Sequence, residues 1–252
     1  MKRALVLFGT RPEAIKMAPV VHALNAAEAI DTRVCVSGQH RELLTPSLQL
    51  FQIEPDFDLD VMRPDQSLAG LTARILSALD SVLSDWQPDL LLVHGDTTTA
   101  FIGAICGFYQ HVPVAHVEAG LRTGNMQSPW PEEFNRKLIA QVAAFNFAPT
   151  VRCRNNLIEE GVSTDSIFVT GNTVIDALIQ VRDQVNSKQQ QQNALEEQFD
   201  FLDLNKRLIL VTGHRRENYG KGFEAICDAL RQLANRYRDS AQFVYPVHLN
   251  PN

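Results

Sequence analysis

Ionisable side chains follow several short apolar runs of the sequence, at the points where predicted strands end. A His-Gly-Asp sequence ending at Asp96 follows the run Leu90–Val93, and Glu118 follows the run Val112–Val117. Carboxyl groups held beside a buried strand are suited to giving protons to a bound substrate and removing them. General acid–base chemistry is therefore the first activity that these residue types indicate.

Each of these residues also has a purely structural interpretation. Asp96 could cap the N-terminus of the predicted helix Thr97–Gln110, and His94 is expected to be a packed, hydrogen-bonded core histidine. Glu118 is different, because an isolated carboxylate at the end of a buried strand costs roughly a few kcal/mol in desolvation. A functional role is the better interpretation for Glu118.

Basic side chains lie near two further strand ends. Arg11 and Lys16 fall at the start of the helix predicted after the first strand, where a carboxylate would be expected for stability alone. His214 and Arg215 follow the predicted strand Leu208–Thr212 and its glycine. Helix N-termini in such positions offer free amides and a positive dipole end, which suit a phosphate group. The pattern indicates an anion site at these strand ends.

Two carboxylates, Glu132 and Glu133, open the predicted helix Glu132–Ala144. Negative side chains are stabilised at the positive end of a helix, and that effect alone could explain both residues. The polar loop before them, which contains Arg122, is long enough to border a site. The sequence leaves both interpretations open.

The elements that must position these groups alternate along the chain. Apolar runs such as ALVLF and LILVT are typical of parallel strands covered on both faces, and repeated βαβ alternation predicts a doubly wound α/β sheet. Ligands bind beyond the carboxyl ends of such strands, so the groups above are expected to converge there. The predicted strands are Ala4–Phe8, Val34–Ser37, Leu90–Val93, Val112–Val117, Phe145–Ala148, Ile167–Thr170, Leu208–Thr212 and Phe243–Val247. The predicted helices are Pro12–Glu28, Ser67–Trp86, Thr97–Gln110, Glu132–Ala144, Val151–Glu160 and Phe223–Tyr237.

A break in composition divides the chain. The stretch RDQVNSKQQQQN, residues 182–193, has four consecutive glutamines and is typical of a solvated helix end or a linker. We predict an N-terminal Rossmann-like domain over residues 1–171, a connector over 172–205, and an incomplete second, nucleotide-binding Rossmann-like domain over 206–252. One strand, one helix and one further strand cannot cover both faces of a parallel sheet, so we expect the N-terminal portion of a longer protein.

Composition argues against several classes of protein. The formal net charge of −6 and the pI of about 5.6 do not favour a nucleic-acid-binding surface. The four cysteines are scattered without zinc-ligand spacing, so no metal site is expected. No apolar run approaches the length of a membrane span or of a signal peptide, which predicts a soluble cytoplasmic protein without a membrane partner.

Familiar cofactor and hydrolase motifs are weak or missing in the sequence. GKGFEA, residues 220–225, formally matches the dinucleotide pattern GxGxxA, but it lies well beyond its strand and no ribose-binding acid ends the next strand. No Walker A, GxSxG or HExxH sequence occurs. A nucleotide-sugar enzyme remains, with phosphates held by helix dipoles and basic groups and with carboxylates acting on the sugar.

Seven motifs closely resemble those of the non-hydrolysing UDP-N-acetylglucosamine 2-epimerases of bacteria, in order over essentially all 252 residues: GTRPEAIKMAP, VHGDTTTA, HVEAGLRTGN, SPWPEEFNR, FVTGNTVIDAL, VTGHRREN and VYPVHLNPN. The resemblance implies a glycosyltransferase-B-like fold, with two Rossmann-like domains around a cleft, and a homodimer. It implies interconversion of UDP-N-acetylglucosamine and UDP-N-acetylmannosamine for surface polysaccharides. A UDP-sugar is the implied partner, and neither a redox cofactor nor a metal is implied.

The resemblance also implies a mechanism and its residues. UDP leaves carbon 1 as the proton leaves carbon 2, a 2-acetamidoglucal forms, and protonation from the opposite face with re-addition of UDP inverts carbon 2. Matching positions imply catalytic roles for Asp96, Glu118, Glu132 and His214. They imply substrate contacts for Arg11, Lys16, Arg136 and Arg215.

Some family members bind a second UDP-N-acetylglucosamine as an activator. Gln39, His40 and Gln66 match part of that region, and Asp65 stands where some members carry arginine. Three alternatives stay open: a hydrolysing epimerase that releases N-acetylmannosamine and UDP, a retaining glycosyltransferase of the same fold, and an inactive truncated module that only binds or dimerises. A chain ending at Asn252 would lack the segment that holds uridine and diphosphate and is expected to bind UDP weakly and to show little or no activity.

Overall fold

The computed structural model describes the chain in four stretches, residues 1–38, 41–63, 66–213 and 221–246. The chain forms two units, Met1–Asp183 and Gln184–Asn252. The first unit contains every described residue of the predicted site. Its sheet and the turns that follow the strands are therefore what position the candidate chemistry.

Seven strands of the described chain form one parallel sheet in the first unit. They are β1 (Lys2–Phe8), β2 (Ile30–Val36), β3 (Phe57–Asp58), β4 (Leu90–His94), β5 (Val114–Val117), β6 (Phe145–Ala148) and β7 (Ile167–Val169). Their order is β3-β2-β1-β4-β5-β6-β7, so the direction of winding reverses between β1 and β4. This order confirms the predicted doubly wound α/β sheet.

Helices cover both faces of this sheet. They are α1 (Arg11–Asn25), α2 (Arg41–Leu50), α3 (Leu68–Trp86), α4 (Thr98–Tyr109), α5 (Glu132–Val142), α6 (Val151–Glu159) and α7 (Thr173–Ser187), which begins in the first unit. In β1, Leu5 and Leu7 belong to a core shared with α3, α4 and α5. Val6 and Phe8 point to the opposite face and belong to a core shared with α1, α2 and α7. The unbroken apolar run of β1 thus reflects burial on both faces.

Helix α3 illustrates how the sequence sets the bounds of an element. Ser67 caps its N-terminus by accepting a hydrogen bond from a backbone N–H group of the first turn. Leu71, Ile75 and Leu79 follow at intervals of four residues and are buried, which is the spacing of one helix face. The helix ends where Gln87 adopts a left-handed backbone, with φ of +51°.

The second unit contains a small parallel sheet of two described strands. Its elements are α8 (Gln189–Gln198), β8 (Arg207–Leu210), α9 (Lys221–Arg236) and β9 (Ala241–Val244). β8 and β9 pair in parallel, and α9 connects them in sequence. The predicted order of strand, helix and strand is therefore found, and the last predicted strand residue, Val247, lies outside the described residues.

Some elements were not predicted from the sequence. α2, β3 and α7 fall in stretches without a predicted element, and the glutamine-rich stretch over residues 182–193 is helical through the end of α7 and the start of α8. The predicted domain boundaries at residues 171 and 205 stay a prediction. Within the described stretches, no helix is both long enough and apolar enough to cross a membrane.

Candidate functional site

The carboxyl ends of β1, β4 and β5 meet at one edge of the sheet. β1 pairs with β4 and β4 pairs with β5, both in parallel, so the turns that follow these strands are neighbours. The winding reverses between β1 and β4, which is where ligands bind in open α/β sheets. The structure brings Arg11, Asp96 and Glu118 to this common edge, because each follows one of the three strands.

Glu13, in the first turn of α1, ties two of these strand ends together. Only 2% of the residue is exposed. Its Oε2 accepts hydrogen bonds from the backbone N–H groups of Gly9 and Thr10, at 3.0 and 2.8 Å, and its Oε1 accepts one from the Thr97 hydroxyl at 2.7 Å. Burial raises the pKa of the Glu13 carboxyl, and these donors act against that rise. Glu13 is not among the predicted site residues, although the spacing Thr-x-x-Glu is a capping-box signal.

The two basic residues of α1 have different surroundings. Arg11 is the first residue of the helix and is exposed, with no partner among the residues that the structure describes. Lys16 Nζ lies 2.8 and 2.7 Å from Oε1 and Oε2 of Glu118. The first turn of α1 also holds the Glu13 carboxyl group, so the premise that basic residues stand there in place of a carboxylate is wrong. Of the two cations, Arg11 is the one with no described counter-charge.

Glu118 combines a strained backbone with a closely held side chain. Its φ of +63° lies in the left-handed region, which costs a non-glycine residue roughly 1–2 kcal/mol. Its side chain is 11% exposed, and Oε2 accepts a hydrogen bond from Asn172 at 2.7 Å in addition to the contact with Lys16. Burial raises the pKa of Glu118, but Lys16, His94 and Asn172 together lower it by more than burial raises it. The pKa of Glu118 therefore lies below its usual value. Strain of this kind is characteristic of functional positions.

Asp96 follows β4 without capping the next helix. Thr97 caps α4 by accepting a hydrogen bond from the backbone N–H of Ala100 at 3.0 Å, so the capping interpretation of Asp96 is wrong. The Asp96 Oδ2 is instead held by Arg136, with Nε at 2.8 Å and Nη2 at 2.6 Å. None of the described residues forms a hydrogen bond with Oδ1. One oxygen of this carboxylate is therefore left for a ligand.

Arg136 is shared between Asp96 and a second carboxylate, Glu133. The Glu133 residue is fully buried, with 0% exposed. Both of its oxygens accept a hydrogen bond from the Thr123 backbone N–H, at 3.0 and 3.1 Å, Oε1 accepts one from Gly124 at 3.0 Å, and Arg136 Nη1 lies 3.1 Å from Oε2. Burial raises the pKa of Glu133, but these donors lower it below its usual value. The family resemblance implies a role for its neighbour Glu132, and only the fold distinguishes the two.

Glu132 is the first residue of α5, beside Glu133. Its Oε2 is buried and has no hydrogen-bond partner within the described stretches. A buried carboxylate oxygen without a donor is unfavourable and calls for a partner. The helix dipole alone therefore does not account for either glutamate, because Glu133 is bonded to a loop and to Arg136 while Glu132 has an unpaired oxygen.

His94 is the last residue of β4, and 3% of it is exposed. Its burial agrees with the predicted core histidine, but the predicted hydrogen bonding is wrong, since neither ring nitrogen has a hydrogen-bond partner in the part of the chain that the structure describes. Nε2 lies 3.8 Å from Oε2 of Glu118. Burial lowers the pKa of His94 to about 4, so the imidazole is neutral at pH 7.

The remaining predicted residues lie elsewhere or outside the described stretches. Four of them, Gln39, His40, His214 and Arg215, are not among the described residues. Gln66 is described, and its side chain accepts hydrogen bonds from the Arg63 backbone N–H at 3.2 Å and from the Arg74 guanidinium. Gln66 is therefore bonded to its own chain.

The chain is similar to known proteins over most of its length. The profile of the UDP-N-acetylglucosamine 2-epimerase family matches residues 22–252. A curated UDP-N-acetylglucosamine 2-epimerase of Yersinia pestis is 56% identical over 250 residues, which are 99% of this chain and 66% of that protein. The chain thus spans slightly less than two thirds of the length of this relative.

Solved structures show the same likeness. The crystal structure of the Neisseria meningitidis UDP-GlcNAc 2-epimerase bound to UDP-GlcNAc superimposes with a TM-score of 0.92, at 48% identity, over 99% of this chain and 67% of that chain. A lipopolysaccharide outer core galactosyltransferase, at 11% identity, superimposes with a TM-score of 0.53 over 97% of this chain and 60% of that chain. The second match bears on the fold alone, which is of the glycosyltransferase-B type.

Proposed function

Since the chain belongs to the UDP-N-acetylglucosamine 2-epimerase family, we propose that it interconverts UDP-N-acetylglucosamine and UDP-N-acetylmannosamine by eliminating UDP and adding it back. One carboxylate takes the proton from carbon 2, the C–H electrons form a double bond between carbons 1 and 2, and the C1–O electrons leave with UDP. An acid on the opposite face then returns a proton to carbon 2 as the UDP oxygen adds to carbon 1. Protons and electron pairs are conserved in both steps without a redox cofactor or a metal.

The observation that carries the proposal is the placement of Asp96 and Glu118 after neighbouring strands, each held by a cation. Arg136 grips one oxygen of Asp96 and leaves the other open, while Lys16 contacts both oxygens of Glu118. Inversion at carbon 2 requires proton-transferring groups on two faces of the sugar, and the unpaired buried oxygen of Glu132 supports a third carboxylate in that role.

The cations then divide into two kinds. Lys16 and Arg136 are assigned to substrate contact by the resemblance, but their described partners are carboxylates, so we assign them to holding Glu118 and Asp96. Arg11 is exposed at the start of α1, where helix amides and the dipole also favour an anion, and it is our candidate for the diphosphate. His214 and Arg215 keep the catalytic and substrate-binding roles that the resemblance implies.

Further parts of the proposal come from the family resemblance alone. They are a homodimer, the supply of N-acetylmannosamine units for surface polysaccharide, and an activator site near Gln39, His40 and Gln66. A cytoplasmic location and the division into residues 1–171, 172–205 and 206–252 come instead from the composition and the pattern of the sequence.

The test is proton NMR of UDP-N-acetylglucosamine incubated with the purified protein in deuterium oxide. We expect UDP-N-acetylmannosamine to appear with deuterium at carbon 2, and Asp96→Asn, Glu118→Gln and Glu132→Gln each to slow exchange by about 100-fold or more. Glu28→Gln is the matched control, because Glu28 is an exposed carboxylate just before the amino end of β2.

Two results would count against the proposal. Absence of exchange and of product with the unmodified protein would refute the activity, and wild-type exchange in all three carboxylate variants would refute the assignment of residues. Release of free N-acetylmannosamine and UDP in the same spectra would instead identify a hydrolysing epimerase.

A further inference from the structure

We propose that Glu133 is a positioning residue for Asp96, acting through Arg136, an inference that rests on the proposed function. Glu133 makes no contact with Asp96 itself. It holds the guanidinium group that holds Asp96, and it fixes the loop that precedes its own helix. Neither role follows from its place beside Glu132 at the start of α5.

The burial of Glu133 requires an explanation other than helix stability. A carboxylate in the first turn of a helix is stabilised by the dipole while it stays in water. Taking it fully out of water costs several kcal/mol unless donors replace the lost solvent. Glu133 has those donors in the two loop N–H groups and in Arg136, so the charge is retained in the interior by a specific set of bonds.

The guanidinium group transmits the position of Glu133 to Asp96. Arg136 uses Nη1 for Glu133 and uses Nε and Nη2 for Asp96 Oδ2. Because the guanidinium is planar and its donors have fixed directions, fixing Nη1 also fixes the other two donors. The result is a carboxylate with Oδ2 held and Oδ1 open, in one orientation.

The charge of Glu133 has a second consequence for the reaction. Arg136 lies between two carboxylates, so donors on two parts of its guanidinium group are engaged within the protein. Without Glu133, Arg136 would keep only its contact with Asp96, and no other described residue would fix the direction of the guanidinium plane. The buried carboxylate therefore keeps Arg136 assigned to Asp96.

Helix α5 fixes the backbone of Asp96 as well. Asn135 Nδ2 donates a hydrogen bond to the Asp96 carbonyl oxygen at 2.8 Å. Glu133 in turn anchors α5 to the loop at Thr123 and Gly124. The main chain and the side chain of Asp96 are thus both held by the first turns of α5. Glu133 is the residue of those turns that bonds both the preceding loop and Arg136.

The experiment compares four variants with the unmodified protein in the NMR assay and in steady-state kinetics. Glu133→Gln keeps an oxygen for the loop N–H groups and removes the charge that holds Arg136. We expect kcat to fall about 100-fold with KM changed by less than about threefold, because a catalytic group displaced by about 1 Å loses rate and not ground-state binding. Lys137→Gln, one residue beyond Arg136 and outside this set of bonds, is the matched control and should keep the wild-type kcat.

Arg136→Lys provides the second variant if Glu133→Gln does not fold. A single ammonium group cannot bond both carboxylates as the guanidinium does, so kcat should fall by a similar factor. The double variant should be no slower than Arg136→Lys alone, since both changes break the same connection. Multiplying effects in the double variant, or wild-type kcat in either single variant, would overturn the proposal.

A crystal structure of Glu133→Gln separates this inference from the proposed function. We expect the contact between Arg136 and Asp96 Oδ2 to be lost or rearranged. If the unmodified protein shows no epimerisation, the proposed function fails and the structure still decides the positioning. If Arg136 keeps both contacts with Asp96 in the variant, Glu133 does not position it.

Discussion

At the scale of single residues, the two carboxylates after β4 and β5 differ in the freedom that their neighbours leave them. Glu118 has Lys16 on both oxygens and Asn172 on one, which favours the ionised form despite its burial. Asp96 has one oxygen held by Arg136, and its other oxygen has no partner among the described residues. Within the proposed mechanism both groups act on carbon 2, Glu118 as a closely held carboxylate and Asp96 through its open Oδ1.

Local sequence was enough to identify Asp96 and Glu118 as candidates. It was not enough to pair Asp96 with Arg136 or Glu118 with Lys16. Both follow apolar runs, and the polarity of a strand end can be recognised in a short window. The role of Glu133 was not predictable, because adjacent residues on a helix point about 100° apart and only the fold decides which one faces the interior. Glu13 was predictable in part from its capping-box spacing, but its bond to Thr97 joins residues distant in sequence.

Two buried histidines should make stability depend on pH. Burial lowers the pKa values of His94 and His116 to about 4 each, and the ordinary value is about 6.5 in the unfolded chain. The unfolded state therefore binds protons first as pH falls, so the stabilising contribution is complete above pH 6.5 and is lost progressively toward pH 4. At 1.36 kcal/mol per pKa unit, each histidine accounts for about 3 kcal/mol over that range.

Urea unfolding at pH 7.5, 6.0 and 5.0 measures this dependence. We expect the free energy of unfolding to fall by about 2 kcal/mol per histidine between pH 7.5 and 5.0, and His116→Gln to remove about half of the slope. A slope that is the same in His116→Gln as in the unmodified protein would show that this imidazole is not held neutral in the fold.

At the scale of elements, strongly patterned ones were predicted, whereas the short or irregular ones and the helix α7 were not. The helix over residues 67–86 and the strand over residues 145–148 agree with α3 and β6 to within one residue. β3 has two residues and cannot display an alternating pattern, and α2 contains Pro46, which obscures a helical period. α8 is built from a glutamine-rich sequence without an apolar face, so composition indicates a linker.

Gly120 determines how closely the loop after β5 approaches α6. Its φ is +85°, and a Cβ atom added there would lie 2.2 Å from the Cys153 carbonyl oxygen. Gly161 has a similar φ of +86° with nothing within 4 Å of such an atom. Gly120→Ala is therefore expected to destabilise by about 3 kcal/mol, whereas Gly161→Ala should cost about 1 kcal/mol from backbone strain alone. Equal losses in chemical denaturation would show that the loop can move away from α6.

At the scale of the whole molecule, the class of fold was predictable and the order of the strands was not. Alternating apolar runs and helical patterns define a doubly wound sheet without specifying which strands are neighbours. The reversal between β1 and β4 depends on long-range packing on both faces of β1. That reversal places the start of α1 beside the turn after β4, so the relation between Glu13 and Thr97 could not be obtained from sequence.

The first unit should fold without the second. Among the described residues, its seven strands and the two cores on either side of β1 involve residues up to Val181, which lies in α7. A fragment of residues 1–187, ending with α7, is expected to be monomeric or dimeric without aggregates. It should unfold in urea in a single cooperative transition. The 252-residue chain serves as the comparison. A fragment with no cooperative transition would show that the sheet depends on residues beyond α7.

The backbone of Glu118 sets the identity of the residue against its conformational cost. Glycine or asparagine would hold the same left-handed turn at lower cost. Either would also leave the Lys16 ammonium group without the carboxylate that lies 2.7 Å away. At position 118 the fold thus gives up backbone stability to keep a charged side chain at the strand ends.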